Sequence, residues 1–340
     1  MYTDFYGFSE RPFQLTPDPR FYFDSRTHRK AMSYLGYGLA QGEGFIVITG
    51  EIGAGKSTLA QHLAQTIDKN RLNAINLVST QVEGEDMLRL VAQGMGIDTS
   101  RMSKGQLLEQ VEQSLEQESR ARKRTLLIVD EAQILSNSAL EELRMLSNFQ
   151  IGGQALIQIL LLGQPEFRDR LATSEALEQL RQRIIANHHL EPIEEAELEP
   201  YIKHRLSLVG WTGKPHFTDE AFTILYRHTQ GILRRVNQVA TRLMLFGAVE
   251  QLETIDADTV EAVVADLAAD GAARKLDRIV PARTQMVDGD ASHDTSLAQR
   301  VAMLETRVEE QDIALRRVLS LLIDWVEKGD DAPVYRHNAA

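Results

Sequence analysis

Between Gly44 and about His189, short apolar runs alternate with longer stretches whose apolar residues recur every three or four positions. The runs Phe45–Thr49, Asn73–Val78, Thr125–Val129 and Leu156–Leu162, with a weaker one at His188–Leu190, predict strands. Thr58–Ile67, Glu85–Gln93, Gln106–Glu118 and Leu140–Leu146 predict helices between them. Strands that lack polar alternation are buried on both faces, so this order predicts a parallel sheet sandwiched by helices. After Pro192 the strand signal stops. Glu194–Val209, Thr218–His228, Leu233–Glu250 and Asp256–Ala268 read as an all-helical second domain, with Thr218 and Asp256 as N-caps.

Residues 270–294 have no period, contain Pro281, and read as a linker. From there Leu297, Val301, Leu304, Val308, Gln311, Leu315, Val318, Leu322 and Trp325 step by four and three, all apolar except Gln311. This 3.5-residue period over 295–328 predicts a coiled coil, within or between chains. The other reading is an amphipathic helix lying on its own domain. The segment 329–340 reads as a flexible tail. At the other end, the prelude 1–43 is rich in proline and in aromatic residues such as Phe5, Tyr6, Phe8, Phe13, Phe21, Tyr22 and Phe23. Rings interleaved with arginine can stack on nucleobases, but packing of these rings on the α/β core is the reading preferred here. The plan is therefore a prelude (1–43), an α/β core (44–192), a helical lid (193–269), a linker, a coiled coil and a tail.

Composition narrows the function without choosing it. The chain has 340 residues, 43% hydrophobic and 25% charged, and no cysteine, which excludes disulfides, thiolate metal sites and a cysteine nucleophile. With 37 basic against 49 acidic residues the net charge is −12, which excludes a uniformly basic nucleic-acid coat. The dense basic run Arg120–Arg124 reads as a solvated helix end. The start, Met1–Phe8, has no apolar signal core, and no apolar run approaches the ~20 residues of a membrane helix. A cytoplasmic protein follows, without direct membrane insertion, that works at the inner membrane only through a partner.

Chemistry enters with Gly50-Glu51-Ile52-Gly53-Ala54-Gly55-Lys56-Ser57, which matches the phosphate-binding pattern G-x-x-x-x-G-K-[ST] and runs on into Thr58. Glycines let successive N–H groups curl toward phosphate oxygens, and the following helix turns its positive end to the same anion. Lys56 is placed for the β- and γ-phosphates of ATP and Ser57 for Mg²⁺. The run Leu126-Leu127-Ile128-Val129-Asp130-Glu131 then brings two carboxylates to a strand's C-terminal end, where open α/β sheets bind ligands. There Asp130 would hold Mg²⁺ through water, and Glu131 would polarise the attacking water. The adjacent His188 and His189 would point to opposite faces of a strand, which suits a shared metal poorly.

With these motifs in place the chain resembles the AAA+ ATPases, an α/β P-loop fold with a helical lid. The resemblance implies that Gln164, in Leu160-Leu161-Leu162-Gly163-Gln164-Pro165, is the first sensor. It implies an arginine finger, reaching a neighbouring subunit of a homo-oligomer, in Leu180-Arg181-Gln182-Arg183-Ile184; Arg183 is preferred and Arg181 is the alternate. It also implies a second sensor in Gly231-Ile232-Leu233-Arg234-Arg235-Val236-Asn237, with Arg234 preferred over Arg235 and Leu233 in place of the usual proline.

A closer resemblance, over roughly residues 1–270, is to the general secretion pathway protein A branch. It rests on Phe5-Tyr6-Gly7-Phe8, Pro12-Phe13, Leu15–Phe23, His28-Arg29-Lys30-Ala31 and Glu43–Gly50. Within that branch the chain looks like the soluble relatives encoded with exosortase (PEP-CTERM) and exopolysaccharide loci. A heptad segment stands here where protein A continues into a membrane span and a peptidoglycan-binding region. The implied function is an ATP-driven motor or switch for secretion or export, with a membrane-system protein as partner. Two other readings are a DNA-associated helper ATPase, which the acidic balance disfavours, and a nucleotide-sensing scaffold with little turnover.

Overall fold

The computed structural model describes residues 2–78 and 83–278. Five strands, β1 (Phe45–Gly50), β2 (Leu72–Val78), β3 (Arg124–Asp130), β4 (Ile157–Gly163) and β5 (Ile184–Leu190), form one parallel sheet in the order β2-β3-β4-β1-β5. Each element coincides with a predicted run, though β5 is longer than its weak signal. The two central strands β1 and β4 are buried along their whole length, as a sheet covered on both faces requires.

The two-residue period of a strand assigns these side chains to two cores. Phe45 and Val47 join Leu127, Val129, Ile159 and Leu161 on one face. Ile46 and Ile48 join Leu126, Ile128, Leu160 and Leu162 on the other. That second face is covered by α1 (Arg26–Gln41) and α2 (Lys56–Thr66), and the first by α3 (Gly84–Gly94), α4 (Lys104–Arg120), α5 (Asn137–Leu146) and α6 (Pro165–Thr173). Gln158, the one polar interruption of β4, is buried and donates to the carbonyls of Gly38 and Glu43 at 2.8 and 2.9 Å, so its burial is compensated.

The lid comprises α7 (Glu195–Ser207), α8 (Asp219–Thr229), α9 (Leu233–Val249) and α10 (Ala257–Arg278). Thr218 caps α8 by accepting from the Ala221 amide, and Asp256 accepts from the Thr259 amide at 2.9 Å. Two short strands, His216–Phe217 and Thr254–Ile255, pair in parallel inside a domain expected to be purely helical. The helix α10 also continues through 270–278, the first part of the expected linker. The rest of the linker, the expected coiled coil and the tail lie outside the described residues. Among the described residues no helix is long and apolar enough to cross a membrane.

The prelude differs from expectation. Its rings Tyr2, Tyr6, Phe8, Phe13 and Phe21 are buried with the lid residues Tyr201, Ile202, Val239 and Leu243, not on the α/β core. Hydrogen bonds follow the same partition: Ser9 N–H donates to Val209 O at 3.0 Å, Thr241 Oγ1 to Phe13 O at 3.2 Å and an Arg205 Nη to Pro12 O at 2.9 Å. The Arg205 guanidinium also lies 4.9 Å from the Phe21 ring centroid, a cation–π contact. Only the later part of the prelude, Tyr22 and α1, packs on the sheet. Apolar rings seek any apolar surface, so composition alone could not tell which of two cores would receive them.

Phe13 is 1% exposed in the lid core. Phe13→Ala is expected to lower unfolding stability by about 3–5 kcal/mol, measured by urea denaturation; a loss under ~1 kcal/mol would contradict this packing.

Candidate nucleotide site

Between β1 and α2 the chain turns through residues 51–55, where Gly53 takes φ +86°, a conformation that L side chains rarely adopt. Gly55 caps α2 without a side-chain hydrogen bond, leaving the first-turn N–H groups of the helix to face an anion. The Lys56 Nζ is buried and donates to the carbonyls of Gly50 and Glu51 at 2.7 and 2.9 Å. Burial pushes its ammonium below the ordinary lysine value, while Glu131, Asp130, Glu51 and Glu166 pull the other way.

The strand β3 ends where β1 ends, because the two strands flank β4 in parallel register. This brings Ser57 Oγ to 2.5 Å from Asp130 Oδ2, to which it donates. The other Asp130 oxygen accepts the Glu131 amide at 2.8 Å. Glu131 stands at φ +57°, a left-handed conformation uncommon for a non-glycine residue, which turns the chain sharply out of the strand. Its carboxylate accepts from Gln133 Nε2 and, at 3.0 Å, from Gln164 Nε2. Burial acts to raise the Glu131 pKa, yet those two amides and the charges of Lys56 and Arg234 outweigh it and hold the group below the ordinary 4.5. Gln133 also accepts the Gln164 backbone N–H at 3.1 Å. Nothing in the sequence marks Gln133 beyond its position two residues after Glu131.

From the lid, the first turn of α9 closes the cleft. The Arg234 N–H donates to Gly53 O at 3.0 Å, and Arg234 lines the cleft with Ile52, Lys56, Ser57, Thr58, Glu131 and Gln164. The neighbouring Arg235 faces a separate groove with Arg11 and His228. The prelude contributes Pro17, Tyr22 and Phe23 to the cleft wall.

Arg183 and Arg181 are elsewhere. Arg183 precedes β5, at the sheet edge opposite the phosphate loop, with Ile184 paired to Phe45 and Leu190 to Gly50. Its guanidinium donates to Ser147 Oγ at 2.9 Å, and that of Arg181 to Ala172 O at 2.6 Å. His188 stacks on Tyr34 while His189 Nδ1 meets Thr49 Oγ1 at 3.0 Å, so the pair does separate to opposite faces. Among the described residues no group of His, Asp and Glu forms a metal cluster. The Ser57 hydroxyl and the Asp130 carboxylate, both oxygen donors at the mouth of the phosphate loop, fit the hard-ligand chemistry of Mg²⁺ accompanying a nucleoside triphosphate.

Residues 39–171 match the AAA domain family. Over 246 residues the chain is 35% identical to General secretion pathway protein A of Aeromonas hydrophila, covering 72% of this chain and 44% of that protein. The chain therefore spans less than half the length of that relative. Among solved structures, the Aeropyrum pernix ORC2 protein in its ADP form matches with TM-score 0.58 and 17% identity, over 76% of this chain and 73% of that one. The Aeropyrum pernix ORC1 protein in complex with DNA matches with TM-score 0.57 and 15% identity, over 81% and 73%. At these identities the likeness is one of fold.

A Cβ on Gly53 would lie 2.2 Å from the Arg234 Cβ. Gly53→Ala is therefore expected to push α9 off the loop and weaken nucleotide binding at least tenfold, about 1.4 kcal/mol, read by titration with a fluorescent ATP analogue.

Proposed function

Since this chain carries an AAA+ ATPase domain with its helical lid, of a class that binds ATP with Mg²⁺, we propose that it is the ATP-driven motor or switch of a bacterial secretion system. The observation that carries this reading is the unbroken chain of hydrogen bonds Ser57–Asp130–Glu131–Gln164 facing Lys56 and Arg234 across one cleft. Likeness to general secretion pathway protein A supports the secretion role. The finer assignment, to an exosortase-linked exopolysaccharide system, rests on sequence resemblance. ATP supply places the site on the cytoplasmic side, with the membrane system reached through a protein partner.

In this reading the loop 50–58 binds the phosphates, and Lys56, with two of its three N–H donors on the Gly50 and Glu51 carbonyls, turns the third and its charge to the β- and γ-oxygens. Ser57 and Asp130 hold Mg²⁺, which supplies neutralisation of phosphate charge. Glu131 accepts the proton of the attacking water, and the Gln164 amide aims that carboxylate as the first sensor. Arg234, as second sensor, ties the γ-phosphate to α9, so phosphate loss loosens the lid at the 190–194 hinge. Arg183 cannot serve its own site from the far sheet edge. Its place there suits a finger inserted into a neighbouring subunit, which makes hydrolysis dependent on assembly.

Three measurements test this. ATPase rate per subunit is expected to rise with protein concentration in wild type and stay low and flat in Arg183→Ala; equal, concentration-independent rates would sink the homo-oligomeric finger. Glu131→Gln is expected to bind ATP while losing turnover by 10²-fold or more, and ATP-dependent co-purification of a membrane-system protein with that variant would identify the partner. Because the Glu131 pKa is lowered, its base form persists down to acid pH and kcat has no limb from it near neutrality. Removing the Gln164 amide in Gln164→Leu is expected to move that acid limb upward and lower kcat roughly 10-fold or more.

A further inference from the structure

His28 lies on α1, in the prelude, yet it meets the phosphate loop. The residue is 2% exposed. Its Nδ1 is 2.7 Å from Ser25 Oγ, and the same hydroxyl oxygen accepts the His28 backbone N–H at 3.3 Å as the N-cap of α1. Ser25 is fully buried and its hydroxyl proton has Nδ1 as its acceptor, so the hydroxyl donates there, which leaves the ring hydrogen on Nε2. Nε2 faces the loop so closely that a Cβ on Gly55 would lie 2.7 Å from it. The Ala54 backbone, one residue before Gly55, favours the protonated ring, as a carbonyl set toward a ring N–H does. Burial pushes the imidazole down to about 4, against smaller upward effects of Asp24 and the Ala54 backbone, so the ring is neutral at physiological pH.

The consequence appears when the loop's carbonyls are taken in order. Gly50 and Glu51 accept from Lys56 and Gly53 accepts from Arg234, which leaves the Ala54 carbonyl, next to the Gly55 that His28 Nε2 faces. A loop that binds anions through its N–H groups must turn its carbonyls outward, since each inward carbonyl would place partial negative charge against phosphate. His28 is held edge-on to Tyr22 with ring centroids 5.9 Å apart, and Tyr22 in turn stacks on His62 of α2 at 3.8 Å. The ring thus sits in a rigid socket built from prelude and loop helix.

We propose that His28 is a positioning residue for the phosphate loop, donating from Nε2 to the Ala54 carbonyl so that the loop's N–H groups are preorganised for the triphosphate. It touches no reacting atom and acts through Ala54 and Gly55. The inference rests on the ATPase reading above. A phosphate loop steadied by a side chain from the prelude also gives that segment a part in nucleotide affinity, beyond filling the lid core.

The test uses the full chain, with mant-ATP and Mg²⁺ as the probe and thermal melting without nucleotide as the control. In His28→Ala the mant-ATP Kd is expected to weaken roughly tenfold, as for loss of one buried hydrogen bond. His28→Gln, whose amide can donate to the same carbonyl, is expected to recover most of that affinity. Ser25→Ala keeps the ring but removes the partner of Nδ1, is expected to fall between wild type and His28→Ala, and serves if His28→Ala does not fold. Unchanged affinity in His28→Ala or Ser25→Ala overturns the inference, as does His28→Gln binding as weakly as His28→Ala, which would mark a packing role. A folded wild type that binds no mant-ATP overturns the ATPase reading itself, and the inference with it.

Discussion

The backbone of residues 50–55 is the constraint on which the rest depends. A loop this short can direct several N–H groups at one anion only if its carbonyls are occupied elsewhere, and three elements supply the partners. Lys56 takes two carbonyls from within the motif, the lid takes Gly53 through Arg234, and the prelude sets the His28 ring against the turn at Gly55. The loop is therefore held from three directions before any ligand arrives, which is the preorganisation that electrostatic catalysis requires.

The acidic side of the cleft follows a similar economy. Asp130 receives Ser57 on one oxygen and the Glu131 amide on the other, so both lone-pair directions are set by groups on different elements. Glu131 is carried out of the strand by a left-handed turn and then fixed by two glutamine amides, one local and one at the end of β4. The same contacts that orient the carboxylate hold its pKa down. Orientation and ionisation are thus one physical arrangement, and changing Gln164 should move both.

Domain coupling has a plain structural basis. The prelude buries its first rings in the lid and its helix α1 on the sheet. At the crossing, the Arg26 N–H donates to Glu197 Oε1 at 2.7 Å and its guanidinium reaches Glu194 at 3.1 Å. The lid is therefore joined to the core by two chain crossings set side by side, the prelude at 23–26 and the connection at 190–194, where Ile193 N–H donates to Gly231 O at 3.1 Å.

What the sequence alone determined was local. The five strands, eight of the helices, the phosphate loop and the Asp130–Glu131 pair were legible because each depends on short-range periodicity or on a fixed spacing along the chain. Arg234 was preferred over Arg235 on likeness alone, and in the fold the first lines the cleft while the second, a third of a turn further round α9, faces a separate groove. Gln133 stood in no pattern, and His28 stood in the stretch His28–Ala31 of the family likeness with no role attached to it, since a glutamine and a lone histidine take meaning only from what they touch. The prelude's destination was likewise hidden, because burial of apolar rings is non-directional and two cores were available. Tertiary structure decided which carbonyl, which amide and which ring meet, and those contacts between residues distant along the chain set the chemistry of the site.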